Sequence, residues 1–260
     1  MSATNTPHVI EAQKLYEAGV KALRKNNLLE AEKAFAEAIA LYETNAEYWL
    51  KLGLVWSKMN RLTEATEANT MAVSLAPDSP DAHYNLGLSL LAAGLEDSGI
   101  QSLQDSFRLS PQDDLAEKLA DYFYNAKDFK SAAYYYLQIY THKKALMKEQ
   151  LLDRLATALY RNGDLQQALG ITLSLIKRFP QNSRYSDLLL DLYRRVPHTE
   201  FNQDAKDILE KFLKGGKTKF LFLRNPWVSL FLLDPLFAPL HIFFAPERLE
   251  VDLAKLWRAL

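Results

Sequence analysis

An all-α fold built from a repeated pair of helices is predicted by three observations. Apolar residues recur at steps of three and four, which places them on one face of a helix. The same pattern returns after 34 residues. Glycine is scarce, at 9 of 260 residues, and no β-branched residues alternate with polar ones, which argues against sheet. With 48% apolar residues the chain can bury a core.

The pattern is clearest in unit 46–79. Trp49, Leu52 and Trp56 share one helix face, and Gly53 lets a second helix come close. Ala65 and Ala72 are the small residues that the second helix offers back. Asn60-Arg61 breaks the pattern between the helices, and Pro77 stops the second. One period earlier, unit 11–45 carries Leu15, Ala18, Gly19, Ala22, Ala31, Phe35 and Ala38, with Lys25-Asn26-Asn27 as its turn. The ten residues before it are expected to be disordered.

One period later, unit 80–113 carries His83, Leu86, Gly87, Leu90, Gly99, Leu103, Ser106 and Pro111. His83 sits where the other units place a large side chain and is read as a core residue. Gly99 lies inside a helix at a cost of about 1 kcal/mol, so that helix is expected to be loose. Unit 114–147 is weaker. Ala120, Tyr124, Ala133, Leu137 and Tyr140 fit, but Asp121 stands where a glycine is expected. Unit 149–182 is clear again, with Leu152, Leu155, Ala156, Leu159, Ala168 and Pro180 around the turn Asn162-Gly163-Asp164.

A degenerate unit, 183–216, follows. Leu189, Leu190 and Tyr193 form one face; Phe201, Ala205, Ile208, Leu209 and Phe212 form the next; Val196-Pro197 separates them and Gly215-Gly216 closes the unit. Segment 217–260 is expected to be an apolar helical extension. Its richest part, Trp227–Ala245, is long enough to consider as a membrane span. Asp234 near its centre costs about 2.5–3.5 kcal/mol there, and Pro235 and Pro239 interrupt a helix, so a span is not expected. From Pro246 onward, Leu249, Leu253, Leu256, Trp257 and Leu260 mark the stripe of a last helix.

The period and its residues resemble the tetratricopeptide repeat. The resemblance implies a right-handed superhelical solenoid of helix–turn–helix repeats, five clear and one degenerate, with a helical C-terminal cap. It also implies a concave face lined by the first helix of each unit, on which a partner segment docks. Carried over onto this chain, that face holds Tyr16, Val20, Leu50, Leu54, Lys58, Tyr84, Leu88, Lys118, Tyr122, Asn125, Asp153, Tyr160 and Arg161. Some family members clamp a partner's terminal carboxylates with lysine and asparagine at two of these places. Here the first three units hold Tyr16, Val20, Leu50, Leu54, Tyr84 and Leu88 there, so an apolar or amphipathic segment is the expected ligand. The competing expectations are that these side chains pack between neighbouring units, or that the chain's own tail, Trp227 to Phe244, lies in the groove and occludes it. Asp234-Pro235-Leu236-Phe237, Glu250, Leu253, Leu256 and Arg258-Ala259-Leu260 are similar to the linker of bacterial proteins that join such an array to a methyltransferase-type domain. That likeness implies an alternative: a substrate-recruiting accessory domain, excised from such an enzyme or acting in trans.

Other chemistry is not supported by spacing. The five histidines, His8, His83, His142, His198 and His241, include no pair at helical ligand spacing, so no metal is expected. Gly216-Lys217-Thr218 lacks the leading glycine and the preceding strand of a phosphate-binding loop. No nucleophile–base set stands out, so neither catalysis nor a cofactor is expected. Residues 1–114 hold 9 basic and 16 acidic side chains, and residues 115–260 hold 22 and 16. That asymmetry would orient a charged partner or favour head-to-tail association. With overall charge near zero and no RNA-reading module, nucleic acid is not an expected partner. Another protein or peptide is, or a second copy of the chain through the apolar tail. The absence of cysteine suits a reducing compartment. The N-terminus lacks a signal-peptide pattern. A cytoplasmic location is therefore expected.

Overall fold

The structure, a computed structural model, describes residues 7–143, 146–196 and 206–208. The expectations for residues 1–6, for Phe201, Ala205, Leu209 and Phe212, for Gly215-Gly216 and for the extension 217–260 lie outside them. Among the described residues there are eleven helices of more than one turn and no strand. In order they are α1 (Pro7–Arg24), α2 (Leu28–Leu41), α3 (Ala46–Lys58), α4 (Leu62–Leu75), α5 (Pro80–Ala92), α6 (Glu96–Leu109), α7 (Asp113–Asn125), α8 (Phe129–Lys143), α9 (Glu149–Asn162), α10 (Leu165–Arg178) and α11 (Ser183–Arg195). The described residues fall in two compact units. One holds residues 7–126 and 134–142, the other residues 127–133 and the described residues from 143 onward.

Within the first unit α1–α2, α3–α4 and α5–α6 are helix hairpins stacked in chain order; within the second, α9–α10 is a hairpin with α11 against α10. Each hairpin turns on one residue in the left-handed region: Asn26 (φ 57°), Asn60 (φ 60°), Gly94 (φ 79°), Lys127 (φ 63°) and Gly163 (φ 91°). Asparagine and glycine suit that backbone. A lysine does not advertise it.

These residues mark the register. They are 34, 34, 33 and 36 residues apart, so the fourth repeat is one residue short ahead of its turn. Ala120, fully buried, therefore takes the place of Gly19, Gly53 and Gly87, and Asp121 does not. The small residue of the second helix is Ala132 rather than Ala133. It completes a buried series with Ala31, Ala65, Gly99 and Ala168.

Other expectations need correcting. Helix α1 begins at Pro7, so 7–10 belong to it and not to a disordered leader. Proline fits a first helical position, where its missing N–H has no partner to lose. Gly99 does not leave α6 loose. A Cβ there would lie 3.0 Å from the Gly87 carbonyl oxygen and 2.8 Å from Leu91 Cγ, so two glycines let the backbones of α5 and α6 approach. His83 is only half-buried, and its Nε2 lies 2.9 Å from the Pro77 carbonyl. Since a carbonyl only accepts, Nε2 carries the proton. Trp49 Nε1 makes the equivalent bond to the Glu43 carbonyl (2.7 Å). Histidine thus replaces tryptophan as a donor to the preceding helix end, not as core volume.

Candidate functional site

Helices α1, α3, α5 and α7 supply the first-helix face of the first unit. Its expected residues form two rows with a 34-residue step, and the structure treats the rows differently.

The first row is Tyr16, Leu50 and Tyr84, and it bridges neighbouring repeats; Lys118, expected in it, lies one residue past the place that Glu117 holds in the shortened fourth repeat. Tyr16 donates its hydroxyl proton to Glu47 (3.1 Å) and stacks on Tyr48, ring centroids 5.1 Å apart. Burial, with the Glu47 charge beside it, pushes its pKa up to about 12. Leu50 is buried with Ala72 and Ala82 between α3, α4 and α5, so it is not part of an open face. The two alanines leave room that a leucine fills. Lys118 Nζ donates to the Tyr84 hydroxyl (3.0 Å) and lies 5.5 Å from the centre of that ring.

The second row is Val20, Leu54 and Leu88. Val20 and Leu54 are half-buried and Leu88 is 42% exposed. Asp121 holds the corresponding place on α7, and its carboxylate accepts from the Tyr136 hydroxyl. Tyr122 is half-buried beside Phe123. Burial is the first cause of its raised pKa and the Glu96 charge the second. Lys58 and Asn125 are exposed. The face of the first unit is thus an aliphatic row with Lys58 one turn beyond Leu54.

Tyr160 and Arg161 belong to the second unit. Tyr160 donates to the Asp191 carboxylate, and the Arg195 guanidinium lies 5.0 Å from its ring centre. Arg161 is exposed. The same unit links α9 to α11 through Asp153, an expected face residue, and through Glu149, Asn182, Arg184 and Tyr185, which sequence reasoning missed. Glu149 accepts from the Tyr185 hydroxyl (2.7 Å) and from Asn182 (3.1 Å), and Arg184 donates to Asp153 (2.9 Å). The signal was there in hindsight: these pairs are 31 to 36 residues apart, one repeat. The Tyr185 and Asn182 hydrogen bonds hold the Glu149 carboxyl below its usual range. A depressed carboxyl stabilises the fold above the unfolded-state value of about 4.3, and that contribution is lost as pH falls through the folded-state value. Chemical melts from pH 7 to pH 3 should therefore show a shallower acid loss in Glu149→Gln than in the parent chain. An unchanged slope would mean that the carboxylate is not held there.

Among the described residues no group of three or more histidines and carboxylates is placed to hold a metal, and no helix is long and apolar enough to cross a membrane.

Stacked helix hairpins, bridged repeat to repeat and carrying a side-chain row on their first helices, define an α-helical repeat protein. The chain belongs to the tetratricopeptide repeat family. One family model, Tetratricopeptide repeat, matches residues 16–80 and 60–114, and a second of the same description matches 150–182. The E3 ubiquitin-protein ligase CHIP of Arabidopsis thaliana is 34% identical over 98 residues, which is 38% of this chain and 35% of that protein. The chain thus spans about a third of the length of the curated relative it matches. The crystal structure of MamA superposes with a TM-score of 0.52 at 19% identity, over 67% of this chain and 95% of MamA, which shows a shared fold. The first tetratricopeptide domain of Spaghetti, solved with an HSP90 peptide, gives 0.39 at 17% identity over 39% of this chain and 81% of that one.

Proposed function

We propose that this chain is a non-catalytic adaptor that docks a partner protein segment on the first-helix face of its first unit. The observation that carries the reading is the difference between the two rows. Leu50 is buried between repeats, and Tyr16 and Tyr84 spend their hydroxyls on the next repeat, whereas Val20, packed on the first core cluster, and Leu54 are half-buried and Leu88 is 42% exposed. Aliphatic side chains at one-repeat spacing suit the apolar stripe of an amphipathic segment. Lys58, exposed four residues after Leu54 in α3, adds a place for an acidic group on that segment. The carboxylate-clamp reading gains nothing, since neither row supplies the lysine and asparagine that it needs in the first three repeats.

The test combines Leu54→Ala with Leu88→Ala. The double variant should bind a partner identified by proximity labelling at least tenfold more weakly, about 1.4 kcal/mol. Its chemical melt should stay within about 1.5 kcal/mol of the parent, because neither leucine is fully buried. Equal affinity would remove this face from the interaction.

A further inference from the structure

The second helices of the first unit carry a different feature. A cleft of about 380 Å³ opens between α6 and α8. Its aromatic wall is Phe107, Tyr135 and Tyr134. Phe107 meets Tyr135 edge to face at 5.2 Å and 77°, and Tyr134 meets it at 5.0 Å and 79°. Three consecutive tyrosines point three ways, because successive side chains on a helix are about 100° apart. Tyr136 is fully buried, Tyr135 is 6% exposed and Tyr134 is 53% exposed. The result is a corner of two nearly perpendicular rings, one fixed in the core and one standing free.

The polar lining is Gln101 and Gln104 from α6 and Gln138 from α8. Gln104 Nε2 donates to the Tyr135 hydroxyl (3.1 Å), which leaves that hydroxyl its own proton to give. Burial raises the Tyr135 pKa, so the proton stays in place at neutral pH. The charges at the rim, Arg108 and Asp105, pair with each other at 2.9 Å. The lining therefore offers amide donors, amide acceptors and a phenol, with no unbalanced charge. That is the complement of peptide backbone and not of an acidic tail or a phosphate.

The form of the backbone follows from hydrogen bonding. A helix keeps its N–H and C=O groups for itself. A polyproline II strand has no internal hydrogen bonds and presents its carbonyls outward. Its pyrrolidine rings dock into aromatic corners, and its preformed shape lowers the entropy lost on binding. We propose that the α6–α8 cleft is a second docking site, which takes an extended, uncharged, proline-containing segment of a partner protein. It is separate from the first-helix face, so either site stands if the other fails.

The experiment uses the full chain and an array of short labelled peptides in three sets: uncharged with proline, uncharged and helix-forming, and glutamate-rich. Binding is read by anisotropy titration. The proline set should bind best. Tyr134→Ala should weaken its best members at least fivefold, while Leu54→Ala with Leu88→Ala leaves them unchanged. Gln138→Ala, one turn along α8 from Tyr134, should weaken them as well and guards against a folding defect in the first variant. Preference for the helix-forming or the acidic set, no binding by the proline set, or indifference to both cleft variants would each overturn the proposal.

Discussion

Replacing Gly87 with leucine should lower the unfolding free energy by about 3 kcal/mol, the upper end of the overpacking range. A Cβ at this position would already lie 2.7 Å from Leu103 Cγ and 2.9 Å from the Gly99 carbonyl oxygen. Leu103 can change rotamer, but the carbonyl belongs to α6 and cannot. A leucine therefore has to push the two helices apart, and Ile100, Leu103 and Phe107 of α6 are all buried. The matched control is Gly170→Ala in α10, where an added Cβ meets nothing within 4 Å. That change removes a glycine from a helix interior and should gain up to about 1 kcal/mol. Chemical denaturation of both variants decides the point. Similar small changes in the two would mean that α5 and α6 do not meet at Gly87.

The opposite signs expected of these two glycines also show what the sequence could and could not express. The 34-residue step, the small residues at Gly19, Gly53, Gly87, Ala31 and Ala65, and the turn residues Asn26, Asn60 and Gly163 are local chemistry, so they were legible. A strict 34-residue step places the fourth repeat one residue off, because its turn rests on Lys127, which carries no left-handed signature. At that step Asp121 aligns with the glycines, whereas its structural counterpart is Leu88. Gly99 read as a defect because helix propensity knows nothing of Gly87 across the interface. Its meaning appears only in the distance between two backbones.

The candidate face was legible by halves for a related reason. Repeat position told which side chains leave the first helices on the same side. It did not tell which of them the next repeat already engages. Tyr16 and Tyr84 look like free aromatic anchors until Glu47, Tyr48 and Lys118 are placed one repeat on. Leu50 looks open until Ala72 and Ala82 show the space that it enters. Val20 and Leu54 stay half-buried and Leu88 exposed. The α6–α8 cleft was not legible at all, since Phe107 and Tyr135 come from different repeats and the tyrosine run 134–136 reads only as apolar volume.

Phe35→Ala should produce the other large loss, about 3–5 kcal/mol for deleting a fully buried phenylalanine. The ring lies against Gly19, where a Cβ would come within 2.6 Å, and it tilts against Tyr16 at 5.8 Å. A glycine cannot extend to fill the hole, so little of the cavity closes. The position is the same one that holds Asn69, Leu103, Tyr136 and Thr172 in the later repeats, and Phe35 is the largest of them without a polar side-chain atom. Stability in a repeat array is a sum of repeat and nearest-neighbour contributions. Loss at Phe35 should therefore fall first on α1 and α2 and on the packing of Tyr16 against Tyr48. Hydrogen exchange provides the readout: protection of amides in 7–41 should drop steeply in the variant, with a smaller drop in 46–75 and little change in 149–178. A uniform drop across all three segments would mean that the array unfolds as one cooperative body. No drop in 7–41 would mean that Phe35 does not hold the first hairpin together.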